Sequence, residues 1–180
     1  MMEAPRTILG IDPGTASTGY GLVAQRGNRL ELLEFGVVRT SRDLELHRRL
    51  SLIFDGIGEI VARHHPAEVA VESLFFNVNA RTAFAVGQAR GVAMLACSRA
   101  GCGVYEYTPQ EVKQAVVGYG KAEKSQVQEM VRVLLRLAEP PRPDHAADAL
   151  GIAICHAHGR AVRVRAQTSE ARARARRLTP

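Results

Sequence analysis

The feature that most constrains this chain is a carboxylate at the end of an apolar strand. The run Ile8-Leu9-Gly10-Ile11 reads as a buried β-strand, and it ends in Asp12-Pro13-Gly14-Thr15. An ionised carboxylate is costly to desolvate at such a point unless something pairs with it. The pattern recurs twice. Val69-Ala70-Val71 runs into Glu72, and the apolar helical stretch 149–157 is preceded by Asp144-His145-Ala146-Ala147-Asp148. A single kind of partner, a divalent cation, would account for all three sites.

The order of elements predicts that these sites can meet. Strand one covers residues 7–12. Residues 18–25 alternate, with Tyr20, Leu22 and Ala24 on one face, and residues 30–39 follow a turn at Arg26-Gly27-Asn28; the three form an antiparallel meander. The period then changes, and Leu50, Ile53, Phe54, Ile57 and Val61 mark an amphipathic helix over residues 46–63 that Pro66 cannot continue. Residues 68–72 form a short strand buried on both faces. A right-handed crossover through the first helix makes this strand parallel to strand one, so Asp12 and Glu72 fall at the same sheet edge.

A second helix spans residues 79–100, ended by Gly101. Its Ala80, Ala83, Ala85, Gly87, Ala89, Gly91, Ala93 and Ala96 point to close approach of another element. That element is either the protein's own core or the same helix of a second copy. Strand 103–107 leads into Thr108-Pro109-Gln110-Glu111, which has the N-cap, N1 and N3 residues of a helix start. Gly118-Tyr119-Gly120 breaks that helix, and the next runs over residues 122–137 with Val127, Met130, Val131 and Leu134 inward. Glu139-Pro140-Pro141-Arg142-Pro143 is a stiff linker, after which Asp144 caps the last helix. The fold class is therefore α/β, a five-stranded mixed sheet with helices on both faces.

Composition narrows the class of partner. At 180 residues and 46% hydrophobic, the chain predicts one domain with a sizeable core. The absence of a transmembrane-length apolar run and of a signal-peptide pattern predicts a cytoplasmic protein without a membrane partner. Cys97, Cys102 and Cys155 lack metal-site spacing and read as buried, reduced thiols. The net charge of +6 favours a polyanion partner. Much of the excess lies in Arg160, Arg163, Arg165, Arg172, Arg174, Arg176 and Arg177. The expected division is a folded domain over residues 1–160 and a basic, disordered tail over residues 161–180.

Taken singly, the candidate residues have ordinary explanations. Asp12 could close an Asx-type turn, His145 could be a first-turn helix residue, and Asp148 could face solvent. Together they describe an oxygen-rich site with few nitrogens, which suits Mg²⁺ or Mn²⁺. Two such ions about 3.5–4 Å apart would activate water for phosphodiester hydrolysis.

Several motifs resemble the RuvC family of bacterial Holliday-junction resolvases. They are Leu9-Gly10-Ile11-Asp12-Pro13-Gly14, Val71-Glu72, Gly87-Gln88-Ala89-Arg90-Gly91, Val112-Lys113-Gln114-Ala115-Val116, Ala122-Glu123-Lys124-Ser125-Gln126-Val127 and Asp148-Ala149-Leu150. The resemblance spans residues 6–158. It implies a ribonuclease H-like fold and a homodimer that takes four-way junction DNA from the RuvA–RuvB branch-migration complex. It further implies a divalent metal, with Asp12, Glu72 and Asp148 as ligands, and places His145 where many members carry Asp. His145 is then a fourth ligand or a general acid–base. Phe75 matches an aromatic that stacks on junction bases, and Lys113 and Lys124 match phosphate-contacting lysines; the ordinary alternatives are a core Phe and two solvated charges. The implied reaction is paired symmetric nicking that leaves 5′-phosphate and 3′-hydroxyl ends.

Overall fold

The structure is a computed structural model that describes residues 5–73 and 80–159, with the backbone alone for residues 80–82. Phe75 and the tail over 161–180 lie outside the described residues. The strands are β1 (Arg6–Asp12), β2 (Ser17–Arg26), β3 (Arg29–Arg39), β4 (Glu68–Glu72) and β5 (Gly103–Tyr107). The helices are α1 (Leu46–His64), α2 (Ala80–Arg99), α3 (Pro109–Val117) and α4 (Lys124–Leu135), followed by α5 over residues 144–159. The sheet order is β3-β2-β1-β4-β5. β1 pairs antiparallel with β2 and parallel with β4, and β4 is parallel to β5. The expected meander, crossover and mixed sheet are all present.

Strand alternation divides the core into two layers. Leu9, Ile11, Leu22, Val69 and Val71 meet Ile53 and Ile57 of α1 and Ala89 and Ala93 of α2. Ile8, Val23 and Ala70 face the other way, onto α3, α4 and α5. The small residues of α2 thus serve in part to pack this helix into the core, where Ala89, Ala93 and Ala96 are buried. The opposite side of α2 exposes Phe84 and Leu95, at 70% and 51%.

The helix starts follow local chemistry. Thr108 caps α3 with a reciprocal capping box to Glu111. α4 begins two residues later than the hydrophobic pattern predicts, because Glu123 forms the same kind of box with Gln126. One expectation is corrected: Asp144 does not cap α5. The carbonyl of Pro143 accepts from the amides of Ala146 and Ala147, so the helix starts one residue early and Asp144 lies in its first turn. Its carboxylate instead accepts from Gln128 Nε2 at 3.1 Å and lies 3.4 Å from Lys124 Nζ.

Candidate active site

The pleat sets the direction of both strand-end acids. Gly10 lies under α5 and Ala70 packs in the same layer. Asp12 and Glu72 come two residues further along their strands, so both project toward α5. The parallel register pairs Ile11 with Val71, which makes Asp12 and Glu72 the next pair at the strand ends.

Glycines decide how near α5 comes. A Cβ at Gly10 would collide with the carbonyl oxygen of Ala149, and one at Gly19 with that of His145. Any side chain at these positions would lift the helix and withdraw the residues it carries. Neither glycine is among the candidate site residues, although Gly10 lies within the Leu9–Gly14 motif. A signal is nonetheless present in the sequence: glycines in the middle of apolar strands, with no turn to require them.

α5 delivers His145 and Asp148 onto Asp12. His145 Nδ1 is 2.6 Å from Asp12 Oδ2. Asp12, His145 and Asp148 each offer a ligand atom, and these atoms all lie within 4.8 Å of one another. Lys124 donates to Asp148 Oδ2 at 2.8 Å. Glu72 stands beside this group rather than inside it. A cleft of about 230 Å³ is lined by Glu72, Asp148, Lys113 and Lys124 over an apolar wall that includes Val112 and Val127. The structure therefore gathers six of the seven expected site residues, and the seventh is Phe75.

The electrostatics are those of crowded acids. Burial, with the charges of Asp12 and Asp148, pushes the Glu72 carboxyl up to about 7 against the opposing pull of Lys124. Burial also raises Asp148, although its hydrogen bond to Lys124 opposes this. The hydrogen bond to Asp12 holds the His145 imidazole above its usual range, overcoming burial. Burial works against the Lys124 ammonium, but its contacts with Asp148 outweigh that and raise it. Two or more carboxylates that repel one another, with a nitrogen alongside, fit a hard divalent cation.

Comparison with known proteins gives this site a context. The family model described as "Crossover junction endodeoxyribonuclease RuvC" matches residues 8–156. A relative of that description from Heliobacterium modesticaldum is 60% identical over 151 residues, covering 84% of this chain and 93% of its own. The Thermus thermophilus RuvC structure has a TM-score of 0.81 at 42% identity, covering 87% of this chain and 96% of that one. The structure of T. thermophilus RuvC in complex with Holliday junction substrate also reaches 0.81, at 43% identity, covering 85% and 93%. The fold is thus the ribonuclease H-like one that the motifs implied. With a match over nearly all of the described sheet and helices, this chain belongs to the RuvC family of crossover junction endodeoxyribonucleases.

Proposed function

We propose that this chain is a metal-dependent endonuclease that resolves Holliday junctions by paired symmetric nicks in recombination and DNA repair. The observation that carries the reading is the convergence of Asp12, His145 and Asp148 within 4.8 Å, with Glu72 alongside. Family membership implies dependence on a divalent metal, and the oxygen-rich donor set fits Mg²⁺, with Mn²⁺ able to substitute and two ions per site. When bound, such ions activate the attacking water and stabilise the leaving 3′ oxygen. Asp12, Glu72 and Asp148 hold them. His145 serves as a further ligand or exchanges a proton, its orientation set by the hydrogen bond to Asp12. Lys113 and Lys124, on the wall of the cleft, contact phosphates of the DNA. Phe75 stacks on junction bases. The products carry 5′-phosphate and 3′-hydroxyl ends.

Symmetric nicking calls for a homodimer whose two-fold axis matches that of the junction. The exposed Phe84 and Leu95 support α2 as part of that interface. The substrate is four-way junction DNA passed on by the RuvA–RuvB branch-migration complex, in the bacterial cytoplasm. No helix of the described residues is long and apolar enough to cross a membrane. The folded domain ends at about residue 160, and the arginine-rich tail beyond it adds affinity for DNA without specificity.

The test is a cleavage assay comparing a synthetic four-way junction with plain duplex, with and without Mg²⁺. Wild-type protein is expected to nick the junction alone, and only with the metal. Asp12→Asn is expected to bind the junction without cutting it. Equal cutting of both substrates, or normal cutting by Asp12→Asn, would defeat the proposal.

A further inference from the structure

Glu72 faces a mechanical problem. Its carboxylate projects toward Asp12 and Asp148, whose charges repel it, and it sits on the last residue of a five-residue strand. Something must hold the strand end against that repulsion. One attachment is to β5, where the amide and hydroxyl of Ser73 donate to the carbonyl of Tyr107 at 2.8 and 3.2 Å. The other comes from the opposite face of the sheet. Arg90 of α2 donates from Nε to the backbone carbonyl of Glu72 at 3.0 Å. Its Nη2 lies 2.5 Å from Glu106 Oε2, an ionic contact rather than an aligned hydrogen bond. Glu106 is in register with Val71, so one guanidinium spans the ends of both strands. The Arg90 side chain is only 17% exposed, which confines it to this arrangement.

The geometry points to Arg90 as a positioning residue, which fixes the Glu72 carboxylate in the cluster by clamping the peptide of Glu72 to Glu106 from behind the sheet. The planar fork suits this role, because it gives one charge-assisted bond to a carbonyl while pairing with a carboxylate. Arg90 acts through the backbone of Glu72 rather than on substrate. Loss of the clamp lets β4 fray at its end and Glu72 retreat from Asp12 and Asp148, as happens when outer partners of metal ligands are removed. Arg90 lies in the Gly87-Gln88-Ala89-Arg90-Gly91 segment, which contributes no residue to the carboxylate cluster itself. The inference rests on Glu72 being a metal-holding residue.

The experiment is a Mn²⁺ titration of the full chain by calorimetry, without DNA, for Arg90→Met and Arg90→Lys in the wild-type and Glu72→Gln backgrounds. Arg90→Met is expected to weaken Mn²⁺ about tenfold in the wild-type background and not at all in the Glu72→Gln background. Arg90→Lys, which keeps the charge and a donor but not the fork, recovers only part of the loss. In cleavage assays kcat falls while the KM for a junction stays put. Unchanged Mn²⁺ affinity in Arg90→Met overturns the inference, and so does an equal loss in both backgrounds, which would mean general loosening. If Arg90→Met does not fold, Glu106→Gln frees the guanidinium and is expected to weaken Mn²⁺ only where Glu72 is present; no change there overturns the inference as well. Unchanged Mn²⁺ affinity in Glu72→Gln itself removes Glu72 from the site, and the Arg90 role with it. A weakened Glu72→Gln beside an unaffected Arg90→Met removes Arg90 alone.

Discussion

The two faces of the sheet hold their helices by different means. On the α1–α2 face, branched side chains of β1, β2 and β4 interlock with Ile53, Ile57, Ile60 and Val61. That is packing by volume, which tolerates swaps that conserve size and shape. On the other face, β1 and β2 offer Gly10, Gly19 and Gly21, and the backbone of α5 rests almost directly on the sheet. That contact leaves no room to exchange. The difference tracks the cluster, because α5 carries His145 and Asp148 and α1 carries none of its residues.

The strongest way to break the comparison is Gly19→Val. The added side chain meets the carbonyl of His145, so the first turn of α5 must move. We expect a stability loss of about 3 kcal/mol, typical of overpacking against an unyielding neighbour. Cleavage should fall about 10²-fold even at temperatures where the variant is fully folded, because a displacement on the order of 1 Å costs that much. Melting curves and junction cleavage, measured side by side, check it. Near-wild-type cleavage would show that α5 does not depend on this contact.

A second prediction concerns what the α5 face costs the protein. The Glu72 carboxyl, pushed up to about 7 from an ordinary 4.5, is more easily protonated folded than unfolded. Its ionised form therefore weakens the metal-free fold, and the sign follows from linkage. The contribution is full below the ordinary carboxylate range and is lost as pH rises toward and through about 7. With the metal chelated, Glu72→Gln should be more stable than wild type at pH 8 by about 2 kcal/mol, allowing for partial contact with water. The gap should shrink toward pH 5 and reverse when Mg²⁺ is added. Urea melts with chelator and with Mg²⁺ measure it. An equal gap at both pH values would deny the repulsion among these acids.

Much of this could be read from residues alone, and the exceptions share a cause. The strands and helices follow from local periodicity and caps, so β1, β4 and β5 fall within a residue of expectation. Asp12 and Glu72 were legible because strand alternation and the crossover rule fix where such side chains point. Asp144 reads as a cap in the sequence because its actual partners, Lys124 and Gln128, come from α4. The buried link from Tyr107 Oη to His156 Nδ1 at 2.8 Å, and from His156 Nε2 to Glu68 Oε2 at 3.0 Å, was likewise invisible, since it joins three elements distant in sequence. Arg90 belongs to the same class: the motif was plain, but its role depends on two strand ends that only the fold brings together.

The smallest expected effect sharpens the comparison from the other side. Ile57 is fully buried between α1 and the sheet, on the face that packs by volume. Ile57→Val removes one methylene without adding a clash. It should cost about 1 kcal/mol in a urea melt and leave junction cleavage and Mn²⁺ affinity at wild-type values. The two results are informative only as a pair. Lost stability with intact cleavage means that the α1–α2 layer supports the sheet without setting the geometry of the cluster. Lost cleavage at full folding would mean that this layer also tunes the site, through Ile11 and Val71, the chain neighbours of Asp12 and Glu72 that it packs, or through α2 and the proposed clamp of Arg90 on Glu72.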